Sequence, residues 1–156
     1  MTLQTADQLP ISLDIADKRS VRTQFAALCY RMVKNKPEIL LITSRETGRW
    51  VIPKGWPMEG KTPAECALIE AWEEAGVTGR VTGPCLGLYT YMKAMPNGPD
   101  LPCAVMVFPV LVQKLSDDFP EASERRRKWM RRKKAVDRID EAELSHMMMH
   151  FEPPAR

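Results

Sequence analysis

Three glutamates within one short stretch, Glu70, Glu73 and Glu74, are the residues of this chain best placed to do chemistry. At i, i+3 and i+4 of a helix they crowd one patch, and like charges at that spacing repel. A divalent cation relieves the repulsion, and hard carboxylate oxygens suit Mg²⁺ or Mn²⁺, ions that pair naturally with phosphate substrates. A lone ExxEE is equally what a solvated acidic helix face looks like. The flanks supply the helix: Thr62-Pro63-Ala64-Glu65 reads as a capping box with proline at the first helical position, and Gly76 stands just past the last turn. A helix from about Pro63 to Ala75 is predicted, entered from a Gly/Pro loop. Its wheel puts Ala64, Ala67, Leu68, Ala71, Trp72 and Ala75 on a core face, Glu70 and Glu73 opposite, and Glu74 at the flank.

From Gly55 to Val77 the chain reads GWPMEGKTPAECALIEAWEEAGV, entered through Pro53-Lys54-Gly55. Gly55, Glu70, Glu73, Glu74, Gly76 and Val77 fall at the offsets of the Nudix box, a glycine-loop-helix signature that ends REUxEExGU. The chain from about Phe25 to Phe151 thus resembles a Nudix hydrolase, nearest in flavour to the diphosphoinositol and dinucleoside polyphosphate branch. Two signature positions depart: Lys61 replaces the loop glutamate and Ile69 the arginine before the first helical glutamate. The resemblance implies an α/β/α sandwich around a mixed sheet, Mg²⁺ or Mn²⁺ as cofactor, and attack of water on a pyrophosphate linkage. It implies that Glu70, Glu73 and Glu74 share the ligand and base roles, with no one of them assigned as the base. It also implies that the carbonyl of Gly55 completes the metal site, where a missing Cβ makes close approach easy. In the family the arginine replaced by Ile69 pairs with a helical glutamate and fixes its orientation. Isoleucine donates no hydrogen bond, so metal binding is expected to survive while turnover suffers.

Substrate contacts are sought among the cations. Lys54 immediately precedes the loop and is a candidate phosphate contact, against the plain reading of a solvated lysine. Arg125, Arg126, Arg127 and Lys128 lie beside Trp129, after Phe119-Pro120-Glu121, and resemble the stretch that carries a carboxylate and arginines near the substrate in the polyphosphate branch. Guanidinium forks match phosphate geometry, which singles out Arg125 and Arg127; the competing reading is a solubilising surface run. His146 and His150 stand at i and i+4 but lack a third ligand nearby, and are read as helix-end residues.

The elements that must position these groups come from pattern. With 44% apolar and 28% charged residues over 156 positions, the chain suits one soluble globular domain rather than disorder or a membrane class. The divisions expected are an N-terminal arm or edge strand over 1–20, a single domain over 21–152 and a tail over 153–156. In the arm, Leu9, Ile11, Leu13 and Ile15 alternate with other residues, but Pro10 argues against a central strand. Phe25 to Val33 and Glu38 to Thr43 read as a hairpin, Trp50 to Ile52 as a short strand feeding the loop, and Cys103 to Val112 as the strongest strand. Val81 to Tyr91 is strand-like, broken by Gly83-Pro84 and Gly87. Lys93 to Pro102 makes a long hairpin loop of the kind that carries substrate contacts. Trp129 anchors a short strand, Ala135 to Asp140 starts a helical turn, and Asp140 with Glu143 resembles a cap pair opening a helix to about His150.

Net charge is +3, which gives no global field for nucleic acid, although Arg125 to Lys134 concentrates basic residues. Cys29, Cys66, Cys85 and Cys103 form no CxxC and read as free thiols of a reducing, cytoplasmic setting. No signal peptide or membrane span is read. The leading function is metal-dependent hydrolysis of a diphosphate linkage in a nucleoside or inositol polyphosphate-type substrate. Beside it stand a catalytically impaired module that binds an anionic ligand and, behind both, an RNA-contacting protein. Oligomeric state is not legible.

Overall fold

A computed structural model of the chain describes residues 8–11 and 21–154. The predicted hairpin forms from β1 (Arg22–Val33) and β2 (Lys36–Thr43), with Val33 opposite Lys36. Lys34 and Asn35 close it with φ of 52° and 63°, the left-handed pair that matches strand twist in a two-residue turn. Short strands β3 (Trp50–Val51) and β4 (Lys54–Gly55) pair with β2 and β1 respectively and lead into α1 (Pro63–Ala75). β5 (Val77–Val81), β6 (Gly87–Lys93) and β7 (Leu101–Leu115) follow, then β8 (Arg127–Arg131), α2 (Arg132–Arg138) and α3 (Ala142–His150). The sheet runs β3-β2-β1-β7-β5, with β6 on β7 and β8 on β2. It is mixed: β1 and β7 are parallel, Arg22 opposite Cys103 through Tyr30 opposite Leu111, and the other pairings are antiparallel.

Alternation along β1 splits the core in two. Phe25, Ala27 and Cys29 pack with Cys66, Ala67, Ala71 and Ala75 of α1 on one face. Ala26, Leu28 and Tyr30 pack with Leu144, Met148 and Phe151 on the other. Helices therefore cover both faces, the α/β/α sandwich expected.

Helix α1 is bounded as its signals require. Thr62 accepts from the Glu65 main chain at 3.2 Å, Glu65 accepts from the Thr62 main chain at 2.9 Å, and Gly76 ends the helix at φ 70°. Its orientation differs from the wheel. Trp72 is exposed and Leu68 half-buried, while Glu70 and Glu74 are buried. On that side the helix meets β4, where Glu70 packs against Gly55 and Glu74 accepts from the Lys54 main-chain N–H.

Two further expectations are corrected. Glu141, not Asp140, stands at the N-cap of α3, with no side-chain cap bond. Asp140 lies 3.6 Å from Arg49, and Glu143 accepts from Thr90 at 3.1 Å. The broken strand over 81–91 is two strands, one ending at Val81 and one starting at Gly87. Of the N-terminal arm, residues 1–7 and 12–20 lie outside the described residues. Ile11 exchanges main-chain hydrogen bonds with Lys61 and Gly60 at 2.9 and 3.0 Å, and Gln8 accepts from the Ala64 N–H at 2.9 Å. This places the described part of the arm against the start of α1.

Candidate active site

A cleft of about 540 Å³ opens beside α1, and the sequence is brought to it from several directions. Lys54 and Gly55 come from β4, Trp56 from the loop after it, Glu70 and Glu74 from α1. The turn after β2 adds Arg45 and Arg49, the end of β6 adds Tyr91 and Lys93, and the loop before β8 adds Glu121 and Arg125.

The acidic wall is tight. Glu70 lies so close to Gly55 that a Cβ there would meet its Cδ and Oε1 at 2.2 Å. Here glycine is required by the side chain of another element rather than by its own φ. Glu70 and Glu74 stand one helical turn apart on α1 with both side chains buried. Glu70 is pushed up to about 8, first by burial and then by the hydrogen bond and charge of Glu74. Glu74 is also raised, burial outweighing the opposing pull of Arg125 and Lys54. The Lys54 N–H donates to Glu74 at 3.4 Å. Burial likewise lowers the Lys54 ammonium, against the charge of Glu74. Its Nζ lies 5.1 Å from the Tyr91 ring centre, and Tyr91 donates to Gln24 at 2.6 Å.

The predicted site residues divide. Lys54, Gly55, Glu70, Glu74 and Arg125 line one cleft, whereas Glu73 and Arg127 are not on its wall. Glu73 is half-buried, and its carbonyl accepts from the Glu121 N–H at 3.0 Å. Arg127 donates to the carbonyls of Ala75 and Ser116 at 2.6 Å each and to Asp117 at 2.7 Å, with its guanidinium 4.9 Å from the Phe119 ring centre. It ties the end of α1 to the following loop. His146 and His150 are exposed, their ring centres 4.3 Å apart. Sequence reasoning did not single out Arg45, Arg49, Trp56, Tyr91, Lys93 or, as a wall residue, Glu121. The hairpin loop that starts at Lys93 was legible, but the convergence of these residues is a tertiary fact.

Among the described residues no three Asp, Glu, His or Cys side chains gather into a ready cage. Two buried carboxyls beside the Gly55 main chain, which carries no Cβ, suit Mg²⁺, which takes one or two protein carboxylates and completes its shell with water and substrate phosphate. The residues therefore fit an open metal site.

Residues 22–151 match the NUDIX domain family. The chain belongs to the NUDIX family. This NUDIX chain is 28% identical over 122 residues to diphosphoinositol polyphosphate phosphohydrolase 3-alpha of Mus musculus, covering 77% of itself and 70% of that protein. It is 32% identical over 106 residues to Nudix hydrolase 12, mitochondrial, of Arabidopsis thaliana, covering 66% of itself and 52% of that protein. By family and relatives it is a pyrophosphohydrolase. Its fold is similar to that of a C. elegans Ap4A hydrolase, with TM-score 0.59 at 21% identity over 83% of this chain and 95% of the other. It is also similar to the NUDIX domain of Shewanella oneidensis NrtR complexed with ADP ribose, with TM-score 0.63 at 14% identity over 86% of this chain and 92% of that one.

Proposed function

We propose that this NUDIX protein hydrolyses a diphosphate linkage in a nucleoside or inositol polyphosphate-type small molecule, with Mg²⁺ or Mn²⁺ as cofactor. The observation that carries the reading is one cleft in which two buried carboxyls, Glu70 against Gly55 and Glu74 beside it on α1, stand among Lys54, Lys93, Arg45 and Arg49. Cations on one wall bind a polyanion, and carboxyls on the other manage a proton and a metal.

Glu70 and Glu74, with the Gly55 main chain and Glu73 at the margin, would hold the metal. When bound, such an ion neutralises phosphoryl oxygens and lowers the pKa of water. The protein's own groups do the rest. Lys54, whose main-chain N–H bonds Glu74 and whose Nζ lies over the Tyr91 ring, presents a compact charge to a phosphate beside the carboxyl pair. Lys93 and Arg45 extend that surface toward solvent and give room for further phosphates. The carboxyl that is left without a metal role accepts the proton of the attacking water.

The test is a screen with Mg²⁺ or Mn²⁺ over dinucleoside polyphosphates, nucleoside diphosphate derivatives and diphosphoinositols, read as released phosphate or nucleotide. Turnover that vanishes in Glu70→Gln and Glu74→Gln is expected. Saturable binding of these ligands without product refutes hydrolysis and leaves an anion-binding module.

A further inference from the structure

We propose that Arg125 is a positioning residue that holds the Glu74 carboxylate in its working geometry, and is not a substrate contact. The inference rests on the reading of Glu74 as part of the working site, and starts from what α1 lacks. Between Pro63 and Ala75 the helix holds no lysine, arginine or histidine, and Ile69 offers no donor. Two buried carboxyls, Glu70 and Glu74, must therefore find their cations on other elements. Lys54 is one. Arg125 is the other, reaching across from the loop before β8.

All three of its guanidinium nitrogens are engaged. Nη2 lies 3.5 Å from Glu74, Nε and Nη2 donate to Glu121 at 3.2 and 3.1 Å, and Nη1 donates to the Thr43 carbonyl at 3.1 Å. The side chain is only 9% exposed. Glu121 is itself fixed, its N–H bonded to the Glu73 carbonyl at 3.0 Å and its carboxylate 3.3 Å from Arg45. The chain of contacts thus runs from Glu73 of α1 through Glu121 and Arg125 back to α1 at the next residue, Glu74. Such a closed loop restricts the rotamers of Glu74 and leaves Arg125 few donors for a phosphate. A misplaced catalytic group costs rate far more than it costs ligand affinity.

The test uses the Mn²⁺-loaded protein and the best substrate from the screen, with Arg125→Ala, Arg125→Lys, Glu121→Gln and the Arg125→Ala/Glu121→Gln pair. Arg125→Ala should lower kcat on the order of 100-fold with KM changed less than about threefold. Arg125→Lys should recover only part, because an ammonium cannot span Glu74, Glu121 and Thr43 together. Glu121→Gln should lower kcat in the same manner, and the pair should be no slower than Arg125→Ala alone, since both act through one link. The electron paramagnetic resonance spectrum of bound Mn²⁺ should broaden in Arg125→Ala as the ligand geometry becomes heterogeneous. A tenfold rise in KM with kcat intact would show that Arg125 touches substrate and overturn the proposal. Unchanged kcat per folded molecule with an unchanged Mn²⁺ spectrum would overturn it as well, reducing Arg125 to a structural tie. A wild type that binds no Mn²⁺ and turns over nothing removes the functional reading itself, and the proposal with it.

Discussion

Gly55→Ala isolates the acidic wall. An added methyl would sit 2.2 Å from Glu70 Cδ and Oε1 and 2.8 Å from its Cγ, whereas relaxed carbon contacts lie near ~3.5–4.0 Å. Glu70 must therefore move by more than about 1 Å, away from Gly55 and out of register with Glu74. The atoms displaced are the end of a flexible side chain, and Gly55 does not occupy the left-handed region, so the backbone accommodates alanine. Stability is expected to change by less than about 1 kcal/mol, because the lost unfolded-state entropy favours alanine by ~0.4–1 kcal/mol and offsets the rearrangement. Rate is another matter: a displacement of about 1 Å costs on the order of 100-fold, equivalent to about 2.7 kcal/mol in the barrier. Steady-state kinetics in excess Mg²⁺ and thermal unfolding of both proteins measure the two effects. Wild-type kcat in Gly55→Ala would refute the claim that the Glu70 position matters. A fall in Tm beyond about 8 °C would refute the claim that only a carboxyl arm is displaced.

Three further outcomes are expected. Gly76→Ala should destabilise the fold by roughly 1–3 kcal/mol in urea unfolding, since φ is +70° and the methyl would meet the Ser116 carbonyl and Phe119 at 2.5 Å each. Trp56→Ala should raise KM for a dinucleoside polyphosphate roughly tenfold and barely change that for a diphosphoinositol. Trp56 is half-exposed on the cleft wall and offers a flat face to a base, a contact worth ~1–3 kcal/mol. Glu65 is held below its ordinary carboxylate value, first by its hydrogen bond from the Thr62 N–H. A depressed folded pKa adds stability above the unfolded value and loses it as pH falls through the folded one. Urea midpoints of wild type and Glu65→Gln, which keeps an acceptor but does not titrate, should therefore converge on going from pH 6 to pH 3.

The parts of this molecule that were legible in sequence are those decided locally. The limits of α1 follow from Thr62, Pro63, Glu65 and Gly76, whose effects reach only one turn, and the structure places the helix between them. The β1–β2 hairpin and the strong strand over Cys103 to Val112 were legible for the same reason. What failed depended on a second element. The wheel ranked Trp72 above Glu70 and Glu74 for burial by polarity alone, whereas Trp72 is exposed and the two glutamates are buried where the helix meets β4. Arg125 and Arg127 were read from charge as substrate contacts; Arg125 lines the cleft beside Glu74 and Glu121, whereas Arg127 stands off it, bonded to main-chain carbonyls that sequence cannot place beside it. Asp140 stands one residue before the cap, and it is the cap residue Glu141 that Arg49 engages at 3.0 Å from a distant turn.

The parallel union of β1 with β7 bears on how the chain reaches this state. Arg22 to Tyr30 can find Cys103 to Leu111 only after everything between them has been synthesised, including most of the cleft lining though not Glu121 and Arg125. On a ribosome, the β1–β2 hairpin and α1 can form early from neighbours, but β1 waits with one edge unsatisfied until β7 emerges. Such long-range pairing closes large loops and is slow. A pause or truncation before Leu111 would leave a sticky, cleft-less intermediate, the form of this protein most exposed to chaperones and to aggregation.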